Sequence, residues 1–224
     1  MSLRLATLTT VSCPPSPESR PLRADAERNR RRLLDAAGEL FAEKGLCVGL
    51  DEIARHAGVG VATAYRRFSD KEELIEALFE ERIAYVVALA ERALLADDPW
   101  AGLVQFMRAA VRLHSCDRGL KQLVFGAGAG PARLEAARAR IHPLLERLVE
   151  RARAAGCVRE DVTATDIALL QFVLSGAADF TRTGGPELAQ RCLTIVLDGL
   201  RTPTPTPLPG RALAPGELEP AAAR

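Results

Sequence analysis

Residues 50–68 read LDEIARHAGVGVATAYRRF, two short helical stripes on either side of one glycine. Leu50, Ile53, Ala54 and Ala57 recur at i, i+3, i+4 and i+7, the spacing of a helix with one buried face. Gly58 stands where a tight corner needs left-handed backbone, which glycine adopts without a steric penalty. Val59 can plug the corner, and Ala54 is small enough to let a second helix, 61–68, cross closely. That layout is a helix-turn-helix, whose second helix lies in the major groove of DNA. A short αα corner is also common in helical cores, so the composition of the second helix decides. Thr63, Tyr65, Arg66 and Arg67, with Lys71 just beyond, supply hydroxyls, a phenol and cations, the groups that contact phosphate oxygens. A helix buried for structure alone would not present them.

Around this corner stand Leu33, Leu34, Ala36, Ala37, Leu40, Phe41 and Gly45 before it, and Phe68, Lys71 and Glu72 after it. With these residues the stretch from about 28 to 78 resembles the DNA-binding domain of TetR-family transcriptional regulators. A combined match over roughly 50 residues is far more specific than a lone short motif. The resemblance implies an all-helical homodimer with a C-terminal ligand-binding domain, and repression that a small molecule relieves. The residues expected to face DNA are Arg28, Gly60, Val61, Ala62, Thr63, Tyr65, Arg66, Arg67 and Lys71. Some positions depart from the family pattern, which usually has Thr or Ser near 49 and Ser near 60, where this chain has Gly49 and Gly60. Glycine is a tolerable N-cap, a few tenths of a kcal/mol weaker than serine, but a hydroxyl that could touch a phosphate is lost. Val61 stands where the family commonly has a polar residue or a cation. Beside Ala62 it can pack on thymine methyls.

The chain has 224 residues, 48% of them hydrophobic and 4% aromatic, which suits Ala/Leu-rich helices rather than a β-protein. The formal net charge of +1 carries no nucleic-acid signal, so the distribution matters more. Residues 20–71 hold eleven Arg/Lys against eight Asp/Glu, with Arg20, Arg23, Arg28, Arg30, Arg31 and Arg32 clustered at the front. Such an arm can track phosphates or enter a minor groove, and it can equally be a solvated helix start. Cys13, Cys47, Cys116, Cys157 and Cys192 are widely spaced without a C-x-x-C, as expected of reduced thiols in a cytosol. His56, His114 and His142 fall on separate predicted helices without metal-ligand spacing, so no metal or other cofactor is expected. No stretch reaches the roughly 18 apolar residues of a membrane span, and the threonine-broken start does not read as a signal peptide. A cytoplasmic location follows.

Ten of the fourteen prolines lie in 14–21 or 203–220, so 1–23 and 202–224 are read as a disordered basic arm and a disordered Pro-rich tail. Between them the helix-turn-helix domain takes 24–70, and an effector-binding and dimerisation domain takes 71–201. About nine helices are expected: 24–44, the pair at the corner, a connecting helix 71–96, 99–115, 117–125, 131–155, 163–182 and 186–201. Gly126–Gly130 lacks the lysine of a phosphate-binding loop and follows no predicted strand, so it reads as a flexible connection. Pro143 falls inside an apolar stripe, where it removes a bond to the Ala139 carbonyl and bends the helix.

That bend opens space for a ligand among Phe106, Met107, His114, Phe125, His142, Leu145, Gln171 and Phe172. Sites between bundle helices are mostly apolar with a few polar groups. The dimer seam is expected from Leu174, Ser175, Ala178, Leu193, Ile195, Val196 and Leu200, where small residues permit close approach about a twofold axis. Two rival readings remain. One is a metal- or redox-responsive regulator of the same fold, using His114, His142 or Cys116. The other is a helical-bundle enzyme, which no nucleophile–base or paired-carboxylate arrangement supports.

Overall fold

In the computed structural model, residues 19–116, 131–176, 185–201, 206–214 and 217 are described. The helices are α1 Ser19–Lys44, α2 Leu50–His56, α3 Val61–Arg67, α4 Lys71–Leu94, α5 Pro99–Cys116, α6 Pro131–Ala154, α7 Ala164–Gly176 and α8 Gly185–Leu200. A 3-10 turn at Gly45–Cys47 links α1 to α2. Among the described residues there is no strand, in keeping with the all-α class read from the sequence.

Most helix ends fall where the sequence placed them, and the exceptions have local causes. α1 begins at Ser19 rather than 24, with Pro21 in its first turn, where the missing N–H is tolerated. Residues 19–23 are therefore helix and not free arm. α4 ends at Leu94 rather than 96. Its exposed carbonyls meet Arg151 of α6, which donates to Leu94 O and, across 2.9 Å, to Ala96 O. A cation at a helix C-terminus satisfies orphan carbonyls and complements the helix dipole. The arm before 19, the expected helix near 117–125 and Gly126–Gly130 lie outside the described residues. So does the expected continuation of α7 beyond 176.

Helix starts are written in short polar side chains. Asp70 caps α4 by accepting from Glu73 N at 2.8 Å, and Glu73 reaches back to Ser69 N at 2.6 Å. Asp98 accepts from Trp100 N at 2.9 Å, ahead of Pro99 at the first position of α5. Thr163 and Asp166 cap α7 reciprocally, Thr163 N to Asp166 Oδ2 at 2.9 Å and Asp166 N to Thr163 Oγ1 at 3.3 Å. Each arrangement satisfies orphan N–H groups, an effect of about 1 kcal/mol per cap.

Two hydrophobic clusters form. The first packs Leu33, Leu34, Ala37, Leu40 and Phe41 of α1 against Ile53, Ala54, Ala64 and Phe68, and closes on Leu74, Leu78 and Phe79 of α4. The second joins α4 through α8, with Leu103, Phe106, Met107, Leu148 and Ile167 at its centre. α4 contributes to both, so it is the shared beam between them. Gly102 sets the α4–α5 spacing, because a Cβ there would lie 2.4 Å from the Ala93 carbonyl oxygen. Pro143 remains inside an unbroken helical run, exposed on the outer side of α6.

The tail departs from the expectation of disorder. Arg159 grips Asp161 with Nε to Oδ1 at 2.5 Å and Nη2 to Oδ2 at 2.8 Å, and Nη2 also donates to Thr206 O. Leu208 N donates to Asp161 Oδ2 at 3.0 Å, and Arg211 forks onto Glu217. Residues 206–208 are thus clasped to the α6–α7 turn.

Candidate DNA-binding face and effector core

The corner is built from backbone bonds. Gly58 has φ +61 and donates to Arg55 O at 3.1 Å, while Val59 N reaches Ala54 O at 2.9 Å. That pair of bonds closes the C-terminus of α2 in a Schellman motif, which needs left-handed backbone at Gly58. Val59 is buried, and Ala54 and Ala64 are both fully covered where α2 and α3 cross. Arg32 of α1 donates to Gly58 O at 3.2 Å, tying the corner to the long helix.

With Ala64 and Phe68 holding α3 in the core, its outer face is fixed. Gly60, Val61, Ala62, Tyr65, Arg66 and Arg67 are exposed, and Thr63 is half-buried. Arg66 donates to Thr63 Oγ1 at 2.9 Å, one turn away. The Tyr65 phenol is 49% exposed, and the Asp51 carboxylate beside it holds it above its ordinary ionisation range. Gly49 and Gly60 are the N-caps of α2 and α3 and supply no side-chain bond.

Lys71 differs from the purely phosphate-facing reading. It is half-buried, and Nζ donates to Leu46 O at 2.9 Å, so one of its three donors braces the 3-10 turn. Three arginines of the basic run of α1 are likewise paired within the chain. Arg28 pairs with Asp25, Arg30 with Glu27 at 3.8 Å, and Arg31 with Asp35 at 3.2 Å and with Glu81. Arg67 reaches Glu27 at 3.4 Å. For Asp25, Glu27 and Asp35, which stand one turn from Arg28, Arg30 and Arg31, the spacing was the sequence signal for this pairing. Exposed pairs of this kind are weak and exchange readily for phosphate. Asp51 beside Tyr65 is a site residue the sequence reading passed over.

The expected ligand residues do not share one wall. Phe106, Met107 and Leu145 are buried together in the second cluster. Gln171 is buried on the inner stripe of α7. Phe172, the next residue, lies on the outer face of α7 with Leu169 and Val173, so it does not line that core. His142 is half-buried and pairs with Glu146 one turn away, at 3.2 Å. The His114 side chain and Phe125 lie outside the described residues. A separate groove of about 690 Å³ runs between α1, α4 and α5, lined by Asp35, Glu39, Arg82, Tyr85 and Arg112 among others. Among the described residues, no expected ligand residue lines that groove.

The seam residues are also sorted by helical phase. Leu174, Leu193 and Leu200 are buried in the chain's own core and have no area left for a partner. Val196 is half-buried, while Ser175 and Ala178 have no described side chain. The apolar residues that do face outward are Leu169, Phe172 and Val173 (61% exposed) on α7 and Ile195 (67% exposed) on α8. No spacing on α7 singles them out, because apolar residues cover that helix nearly all round.

Cys47, Cys157 and Cys192 are free thiols. Among the described residues, no three His, Cys, Asp or Glu side chains gather as a metal site, and no helix is long and apolar enough to cross a membrane.

Residues 33–78 match the family described as bacterial regulatory proteins, tetR family, and residues 98–202 match a transcriptional regulator SbtR-like C-terminal domain. The fold is similar to that of a TetR transcription regulatory protein from Mycobacterium vanbaalenii. The two are 38% identical, with 81% of this chain and 100% of that one covered and a TM-score of 0.62. A TetR transcriptional regulator from Streptomyces coelicolor is 30% identical, covering 78% and 99%, also at a TM-score of 0.62. An HTH-type transcriptional regulator of Staphylococcus aureus (strain USA300) is 41% identical over 54 residues, 24% of this chain. The match spans only 29% of that curated relative's length.

Proposed function

Because the chain belongs to the TetR family of bacterial transcriptional regulators, we propose that it is a dimeric repressor released from its operator by a small molecule. The observation that carries this reading is the outer face of α3. It presents Val61, Ala62, Tyr65 and Arg66 to solvent while Ala64 and Phe68 anchor the helix from behind. A rigid helix with polar, cationic and small apolar groups on one face suits a major groove, with Tyr65, Arg66, Arg67 and Lys71 on phosphates and Val61, Ala62 and Thr63 toward base edges.

Exposed apolar residues on α7 and α8 support dimerisation. Leu169, Phe172, Val173 and Ile195 would meet their copies about a twofold axis, an isologous four-helix contact. Two copies would place their α3 helices about 34 Å apart, one turn of DNA, on a pseudo-palindrome. A ligand in the core of α5, α6 and α7 would favour a different separation, transmitted by α4, which belongs to both clusters. Operator DNA must then weaken ligand binding by the same factor. A cytoplasmic location fits this role. The metal- or redox-responsive alternative gains no support from the described His and Cys residues.

Footprinting on DNA flanking the protein's own gene tests the reading. A protected pseudo-palindrome, lost at saturating effector, is the expected result. Absence of sequence-selective protection at any salt concentration would refute it.

A further inference from the structure

Ala164, Ile167, Gln171 and Leu174 form the buried stripe of α7. Three of these are apolar members of the core shared with α5, α6 and α8. The fourth is an amide. Gln171 is 6% exposed, and its Nε2 has no hydrogen-bond partner. An unpaired buried N–H bears its full desolvation cost, and native interiors contain few of them. Leu or Met would fill the same volume without that cost, yet the chain carries a donor. Thr165 is the only other buried polar side chain among the described residues, and none of the buried residues is charged.

We propose that Gln171 is the polar anchor of the effector, and that the effector is a neutral, mainly apolar molecule whose one acceptor oxygen faces Gln171 Nε2. Ketone, ester and lactone carbonyls are the matching chemistry. The inference rests on the ligand-relieved repression proposed above. A carboxylate in this core would be a buried charge without a counter-ion, which is costly. A pure hydrocarbon would leave the donor unpaired. A site built around one donor rejects analogues that lack the acceptor.

The test compares the full-length protein with Q171M and Q171L by thermal unfolding. The probes are acetophenone and nonan-2-one, the matching carboxylates benzoate and nonanoate, and ethylbenzene. Without probe, both variants should melt at least about 2 °C higher than wild type, because the unpaired donor is gone. The ketones should raise the melting temperature of wild type, the other probes should not, and both variants should bind the ketones at least about tenfold more weakly. Variants no more stable than wild type mean that Nε2 is satisfied, by a trapped water for example, and overturn the proposal. Equal shifts from ketones and carboxylates, or ketone shifts that survive both substitutions, also overturn it. Operator release is read in parallel. Release by nonanoate that is unchanged in Q171M keeps ligand-relieved repression and removes Gln171 from it. Gln171-dependent ketone binding that leaves operator affinity unchanged keeps the site and removes the repression mechanism.

Discussion

Arg32 Nη2 lies 3.2 Å from the carbonyl oxygen of Gly58, so α1 holds the corner of the helix-turn-helix by its one left-handed residue. A Cβ at Gly58 would stand 2.7 Å from the same nitrogen. Gly58→Ala therefore meets two penalties, a positive φ and a displaced Arg32. The backbone term alone costs about 1–2 kcal/mol. Denaturant unfolding should show that loss, and Arg32→Ala should add little to it in the Gly58→Ala background. A neutral Gly58→Ala would mean that the corner is held by packing alone.

Lys71 carries two roles that one pair of substitutions separates. Its bond to Leu46 O braces the turn before α2, and its charge sits at the start of α4 beside the DNA-facing helix. Lys71→Gln retains a donor for Leu46 but no charge. It should leave stability within about 0.5 kcal/mol while lowering the salt slope of operator binding by about one unit. Lys71→Ala should lose both, with about 1 kcal/mol less stability. If the slope is the same in wild type and both variants, Lys71 is a structural brace only.

The proposed dimer seam shows where sequence reading reached its limit. The corner was legible because Gly58, Ala54 and the alternation of Ala64 and Phe68 with polar neighbours leave one geometry. The helix borders were legible because Asp70, Pro99 and Thr163 are cap and first-turn residues. The outward face of α7 was not. Apolar residues cover that helix nearly all round, so periodicity does not say which of Leu169, Val173 and Leu174 faces the core until α5 and α6 are packed against it. The tail was misjudged for a different reason. Proline content excludes a helix, but it does not exclude an extended segment held by Arg159 and Asp161.

The proposed seam makes opposite predictions for neighbouring residues. Val173→Glu and Ile195→Glu place charge on the exposed patch, so they should yield a folded monomer with weakened operator binding. Sedimentation and circular dichroism would read the two properties separately. Leu193→Ala lies in the core and should cost about 2–5 kcal/mol through the cavity it leaves. Should Val173→Glu remain dimeric, the seam lies elsewhere.

The clasp at the tail has a definite pH signature. Arg159 first, and then the Leu208 N–H, hold the Asp161 carboxyl well below its ordinary value of 3.8. A depressed carboxylate contributes its stabilisation above the unfolded value and loses it only as pH falls through the folded one. Docking of residues 206–208 should therefore be constant from pH 8 to 5 and weaken only in stronger acid. Asp161→Asn removes the charge that Arg159 and Leu208 share, so limited proteolysis should cut between 206 and 214 faster in this variant throughout that range. The rest of the chain should resist as wild type does, because α7 keeps its own cap from Thr163 and Asp166. Equal cutting of the two proteins would mean that the tail is held by the Arg159–Thr206 bond without Asp161.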